Sequence, residues 1–181
     1  DWDINILKNL YIKNPKSSFS VKDISCSLGK FPAYNCSALL KYFSDDYLVD
    51  DENLFISTGG NAFIHYLKGK ANYSSDVFSF KVPYAHTKFI YSLIKNNILH
   101  FENMFQGAVI KHLNKKDFDK YNCILPPLSE QKLIADYLSK QEESIENLKK
   151  LLENEKKKFD FLLDNLLSGK YLVENTEEED K

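Results

Sequence analysis

The chain has 181 residues, 43% of them hydrophobic and 14% aromatic, and a formal net charge of −2. That is enough apolar material for one packed domain plus an extended element, and it excludes a disordered chain. No apolar run approaches the ~20 residues of a membrane span and no charged-then-apolar leader is present, so a soluble, cytoplasmic protein is expected.

Residues 4–13 have helical spacing through Ile4, Leu7, Leu10 and Tyr11, and Asn14-Pro15 ends that element. Residues 19–25 read as a short strand or turn. Gly29-Lys30-Phe31-Pro32 reads as a loop that continues through Tyr34-Asn35-Cys36-Ser37, and the apolar run 38–43 is closed by a turn at Asp45-Asp46. Asn53–Ser57 and Phe63–Leu67 read as two strands joined at the sharp turn Thr58-Gly59-Gly60-Asn61, with a third strand over Val77–Val82. After Pro83, Thr87–Leu99 has helix periodicity through Phe89, Ile90, Leu93, Ile94 and Ile98. Gly107 opens a stretch ending in Lys111-His112-Leu113-Asn114, and Asp117 begins a short element leading to Ile124-Leu125.

Pro126-Pro127 marks a boundary, with residues 1–127 ahead of it as an α/β (α+β) domain. Ser129 is the expected N-cap of the helix that follows, with Glu130 in its first turn and Lys132 at N3. About forty residues then pass without Gly or Pro, until Gly169. Apolar residues recur at steps of four and three: Ile134, Leu138, Ile145, Leu148, Leu152, Phe159, Leu162 and Leu166, interrupted on the seam by Gln141 and Glu155. At ~1.5 Å per residue this helix, predicted over residues 128–170, is roughly 60 Å long. A lone helix cannot bury such a seam, so a coiled coil with a second helix is expected. Gln141 and Glu155 either fall on a wet rim or fix register. Lys156-Lys157-Lys158 reads as a solvated face or a backbone or partner contact.

Charge is unevenly spread. Residues 1–128 carry 15 Lys against 12 acids, 129–173 carry 8 against 9, and 174–181 carry 1 against 5. The expected domain is mildly basic, and the tail over 171–181 is read as acidic and mobile. Every basic side chain is Lys; the chain has no Arg. Base reading here cannot use the Arg fork on guanine and must use Lys, Asn, Gln, Ser, Thr and His. Cys26, Cys36 and Cys123 lack CxxC spacing and read as packed, reduced thiols. His65, His86, His100 and His112 show no metal-binding spacing, so no metal is expected.

The segments LPPLSEQKLIADYLSKQEESIENL and KKKFDFLLDNLLSGKYLV resemble the helical region of type I restriction–modification specificity subunits, in which Pro-Pro-Leu-x-Glu-Gln leads into a long helix ending in Leu-Leu-x-Gly-Lys. The matching positions are Pro126, Pro127, Leu128, Glu130, Gln131, Leu166, Leu167, Gly169 and Lys170. Leu54–Phe80 and Gly107–Leu128 are similar to the family's target recognition domains, and together the likeness spans roughly residues 17–173.

The resemblance implies a non-catalytic reader of double-stranded DNA that directs adenine methylation and restriction by partner subunits to a split target. Modification (methyltransferase) subunits would use S-adenosylmethionine, and a restriction (motor-nuclease) subunit would use ATP and Mg; this chain would hold no cofactor. Family members usually carry two recognition domains and two antiparallel helices in one chain. With one of each, this sequence is either a natural half-subunit or half of a larger protein, and Asp1 in place of Met suggests that residues precede it. An antiparallel homodimer through Ile134–Leu166 would place two readers on a palindromic split site.

Three polar-aromatic groups are the candidate DNA contacts: Lys30, Tyr34 and Asn35; Thr58, Asn61, His65, Tyr66, Lys68, Lys70 and Asn72; and Gln106, Lys111, His112 and Asn114. Each also has a bland reading as turn or structural polar residue. The isolated chain is expected to bind DNA weakly and with strong salt dependence, because a mildly basic domain neutralises few phosphates. The rival class is a coiled-coil interaction module that never touches DNA. An autonomous hydrolase finds little support: there is no P-loop or glycine-rich cofactor loop, Leu125-Pro126-Pro127-Leu128 lacks the amide and ring of a methyltransferase Asn-Pro-Pro-aromatic motif, and Asp117, Asp119 and Lys120 lack the upstream Asp of a nuclease cluster.

Overall fold

The computed structural model describes residues 1–24 and 29–170. Cys26 and the acidic tail over 171–181 lie outside the described residues. The chain divides into two compact units, Asp1–Asp136 and the part from Tyr137 onward.

The N-terminal segment is not the helix its spacing predicts. It forms strand β1 (Asp3–Ile6), one 3-10 turn (Leu7–Asn9) and strand β2 (Ile12–Lys13). The reason is long-range pairing. β1 lies antiparallel on a strand from the end of the unit, with Asp3 opposite Leu125 and Ile6 opposite Asn122. Leu7, Leu10 and Tyr11 are buried while Ile4 is 72% exposed, a split that one helical face would not produce.

Lys30 precedes β3 (Phe31–Tyr34), a strand where a loop was expected. β4 (Tyr42–Ser44) pairs with it, and the expected turn at Asp45-Asp46 follows. β5 (Glu52–Ser57) and β6 (Ile64–Lys68) form the predicted antiparallel pair, and β7 (Asn72–Tyr73) adds parallel to β3. β8 (Val77–Lys81) is the predicted third strand. Helix α1 (Thr87–Asn96) stops at Asn97, whose side chain donates to the Leu93 carbonyl, and α2 (Ile98–Glu102) restarts beyond it. β9 (Phe105–Gln106), β10 (His112–Leu113), helix α3 (Lys115–Asp119) and β11 (Asn122–Leu125) complete the unit before helix α4 (Leu128–Leu167).

The main sheet has the order β2-β8-β5-β6, all antiparallel, and a smaller one has the order β4-β3-β7. β5 shows why both are needed. Successive side chains point to opposite faces of a strand. Leu54 and Ile56 enter the larger core with Phe80, Ile90, Ile94, Phe101 and Phe118. Phe55 enters a smaller core with Tyr34, Val49, Ala71 and Tyr73. Both faces are covered, so Leu54-Phe55-Ile56 reads as an unbroken apolar run. Cys123 sits wholly buried in the larger core, and burial pushes its thiol up to about 12.

α4 starts earlier than a Ser129 cap would allow. The Pro127 carbonyl accepts from the Glu130 and Gln131 N–H groups, so Ser129 lies inside the first turn. Gln131 is only 5% exposed. Its Oε1 accepts from the His86 N–H at 2.9 Å and its Nε2 donates to the Pro126 carbonyl at 2.9 Å. Ala135 is buried beside it and Ile134 packs on the larger core. Ile134 is therefore claimed by its own unit, which corrects its place in the expected seam.

From Tyr137 onward the described helix is a single exposed element. Leu138, Ile145, Leu148, Leu152, Phe159, Leu162 and Leu166 are 38–62% exposed, and Gln141 and Glu155 are exposed among them. The apolar surface is wider than the strict seam, because Leu151, Phe161, Leu163 and Leu167 are exposed too. The helix stops as expected at Gly169, which has φ +69°. The Gly169 N–H bonds the Leu166 carbonyl and the Lys170 N–H reaches back to that of Asn165, a Schellman closure needing a residue free of Cβ strain. No helix among the described residues is long and apolar enough to cross a membrane.

Replacing Gln131 by Leu keeps the volume but strands the His86 N–H and the Pro126 carbonyl. The expected cost is about 2–4 kcal/mol, seen as a melting midpoint lower by roughly 5–10 °C in thermal denaturation.

Candidate nucleic-acid interface

The site is built where three loops meet at the Ser57 end of the main sheet. Buried Ser57 clamps the first loop: its hydroxyl donates to the Asn61 carbonyl at 2.7 Å and accepts from the Phe63 N–H at 2.9 Å. The Asp76 carbonyl joins the second. It accepts from the Thr58 N–H at 2.8 Å, from the Thr58 hydroxyl at 2.7 Å and from the Cys36 thiol at 2.8 Å. Burial raises the pKa of that thiol, outweighing hydrogen bonds from the Gly59 and Thr58 backbone. The third loop is tied by two backbone bonds of 3.0 Å each, Gly60 N–H to the Lys111 carbonyl and Leu113 N–H to the Thr58 carbonyl. Residues 35–37, 58–61 and 107–112 thus share one hydrogen-bonded base.

Gly107 makes the third loop possible. Its φ is +143°, and a Cβ there would lie 2.4 Å from the Ile110 carbonyl oxygen. Past that turn Val109 is 96% and Ile110 61% exposed, and Lys111 and His112 face solvent. Leu39 and Leu40 are exposed on the segment after Cys36. These four apolar residues escaped the sequence reading. The available signal was apolar side chains in segments with no helix or strand period.

The predicted contact residues divide into three groups. Asn35, Thr58, Asn61, Lys111 and His112 are brought together on this loop base. His65 stands just below it, with Nε2 2.9 Å from the Ser37 carbonyl and its ring 5.1 Å from that of Tyr34. Burial lowers the His65 pKa, so the imidazole is neutral near pH 7.

The second group lies at the other end of the β5–β6 pair, five residues or roughly 17 Å away. Lys68 forms an ion pair with Glu52 at 3.5 Å, and the Tyr66 hydroxyl donates to the same carboxylate at 3.2 Å. The Tyr66 ring is partly buried against Tyr91 of α1, and burial, followed by Glu52, pushes its hydroxyl up to about 12. Lys70 is exposed with its ammonium 4.2 Å from the Tyr47 ring centroid and 5.8 Å from that of Phe31. Lys30, exposed just before Phe31, belongs to this end of β3.

In the third group Tyr34 and Asn72 are buried, which corrects their reading as surface contacts, while Asn114 is half-buried and Gln106 exposed, each held by a local hydrogen bond. Tyr34 is 5% exposed, stacked on Phe55 at 4.4 Å, and burial pushes its hydroxyl up to about 12. Asn72 is 1% exposed and bonds the Ser44 hydroxyl and the Tyr73 N–H. Asn114 caps α3 by accepting from the Lys116 N–H at 3.1 Å. Gln106 pairs with His112 in the β9–β10 ladder, and its amide reaches Asp117 at 3.4 Å.

The loop base can do recognition chemistry. Asn61 and His112 offer donors and acceptors for base edges, Lys111 offers a point charge for a phosphate, and Val109 and Ile110 offer apolar contact of the kind a thymine methyl accepts. Among the described residues no group of three or more His, Cys, Asp or Glu side chains is placed to hold a metal ion.

Known proteins with this architecture point one way. Against the Type I restriction enzyme EcoDI specificity subunit of Escherichia coli the chain is 26% identical over 125 residues, which is 69% of this chain and 28% of that protein. The type I restriction–modification system S subunit from M. genitalium superposes with a TM-score of 0.74 at 20% identity, over 93% of this chain and 46% of that one. The HsdS subunit from Thermoanaerobacter tengcongensis gives 0.60 at 14% identity, over 82% of this chain and 39% of that one. At such identities these two likenesses concern the fold. The chain spans less than half the length of each of these relatives. The family model described as the type I restriction modification DNA specificity domain matches residues 5–156, most of the chain, and on that match the chain belongs to the type I restriction–modification DNA specificity family.

Proposed function

We propose that this chain is a non-catalytic DNA-recognition component of a type I restriction–modification complex. Its loop base, residues 35–37, 58–61 and 107–112, reads one half of a split target. Modification subunits holding S-adenosylmethionine then methylate adenine at that target, and a motor-nuclease subunit using ATP and Mg restricts DNA that lacks the mark. The observation carrying this reading is the single hydrogen-bonded base under three loops that present Asn61, Lys111, His112, Val109 and Ile110 outward. A rigid base is what sequence reading needs, since discrimination depends on donors held in place before contact.

The exposed stripe of α4 supports a second helix as partner, and a second copy of this chain fits it. A parallel pair would set Glu155 beside Glu155 of the second copy in one seam, with two like charges partly desolvated. An antiparallel pair avoids that. Gln141 and Glu155 stand seven residues to either side of Leu148, so pairing centred near Leu148 brings the amide of each copy toward the carboxylate of the other. The N-terminal ends of the two helices then lie at opposite ends of the pair, suited to a target with two separated halves. The off-seam Leu163 and Leu167 leave apolar surface for the modification subunits.

Two outcomes follow. Co-expression with the neighbouring modification subunit, read by genome-wide mapping of methylated adenines, gives a defined split motif for the unaltered chain. Asn61→Ala or His112→Ala relaxes one position of that motif by about 1–3 kcal/mol of discrimination; an unchanged motif in both variants would remove the loops from the recognition role. In sedimentation, Leu148→Asp weakens self-association on the order of 100-fold, because two buried leucines are lost at the centre of the seam. A chain that stays monomeric at high concentration before any substitution would rule out the homodimer.

A further inference from the structure

The fold gathers three lysines that the sequence scatters. Lys13 ends β2, Lys16 follows Pro15, and Lys115 opens α3. The Lys115 ammonium stands 4.7 Å, and that of Lys13 5.6 Å, from the centroid of one ring, Phe78. Lys13 is opposite Phe80 and the Asn14 N–H bonds the Ser79 carbonyl; two residues further on, Lys16 is near enough for its charge to act on Lys115. All three side chains are exposed, and none is held in an ion pair among the described residues. The carboxylate facing them, Asp119, is already engaged by the Tyr11 hydroxyl. The pKa of Lys115 is lowered by burial first and then by repulsion from Lys13 and Lys16, with Asp119 opposing. Three like charges offset by a single carboxylate cost stability unless a further anion meets them.

Their place in the fold says which anion. Lys115 is two residues beyond Leu113, whose N–H bonds the Thr58 carbonyl of the loop base. Phe78 stands opposite Ile56 in the sheet, one residue from the Ser57 end. The cluster therefore flanks the loops that face a target, at the distance of a neighbouring strand. A lysine ammonium is a compact point charge that suits a phosphate oxygen without demanding the planar geometry of a base edge.

We propose that Lys13, Lys16 and Lys115 form a clamp for the sugar-phosphate backbone of duplex DNA, holding the duplex in register while the loop base reads it. This rests on the DNA-recognition reading above and adds a site to it. The clamp is sequence-blind. It supplies counterion-release affinity that the loops do not, and it explains how a domain with a small net charge engages a polyanion on one side only.

The test is a salt titration of binding to a mixed-sequence duplex by fluorescence anisotropy, using the full chain in the presence of its modification subunit. For Lys13→Gln, Lys16→Gln and Lys115→Gln combined, the slope of log K against log salt becomes shallower by about 0.9 per lysine, or about 2.7 in all, while the methylated motif is unchanged. The Arg triple variant, which keeps the charge, restores the slope. Single Gln variants, each losing about 0.9, serve if the triple variant does not fold. A slope that stays at the wild-type value overturns the clamp. Retained slope with lost co-purification of the modification subunit also overturns it and makes the patch a protein contact. Failure of the unaltered complex to bind any duplex overturns both the clamp and the recognition reading.

Discussion

One buried amide fixes where α4 begins within the first unit. Gln131 reaches the His86 N–H on one side and the Pro126 carbonyl on the other. A buried amide in a tightly packed interior is tolerated only when its hydrogen bonds are made, and failing to make them costs more than making them gains. The start of α4 is consequently set by the N-terminus of α1 and by the Pro-Pro corner, and not by a serine cap. Ala135 and Ile134 extend the same attachment through apolar packing.

The recognition unit applies the same economy. β5 is buried on both faces, and its two cores require two different covers, α1 with α2 on one side and the β4-β3-β7 sheet on the other. With both faces of β5 occupied, the loops at the Ser57 end of the sheet carry exposed side chains instead. There the Asp76 carbonyl and the Ser57 hydroxyl absorb the loop polar groups, which frees Asn61, Lys111 and His112 to point elsewhere. Binding residues on loops over a rigid scaffold are the common arrangement in proteins that must change specificity without changing fold.

The aromatic content has a matching role. Tyr11, Phe78, Phe80, Phe101, Phe118 and Tyr121 form a chain of edge and tilted ring contacts through the larger core. Lysines ride on its rim at Tyr11 and Phe78, and on separate rings at Tyr66 and Tyr47. With no Arg in the chain, these ring–ammonium contacts position cationic heads that would otherwise be free to sweep.

Much of this was legible in the sequence. The long helix and its glycine stop, the β5–β6 pair and the third strand at Val77 all follow from local periodicity and turn residues, because these features depend on neighbours a few positions away. Tertiary structure decided the rest. Residues 4–13 carry a helical spacing, yet β11 offers β1 a hydrogen-bonded edge from the far end of the unit, and long-range pairing prevails over a weak local preference. Tyr34 and Asn72 have the composition of a contact surface but fill the smaller core, and Ile134 has the spacing of a seam but belongs to its own unit. Lys68 and Lys111 look alike in a string and lie at opposite ends of a sheet, whereas Lys13 and Lys115 are a hundred residues apart and share a ring. Residue type and spacing determine what a side chain is able to do; only the packing of distant strands determines which side chains do it together.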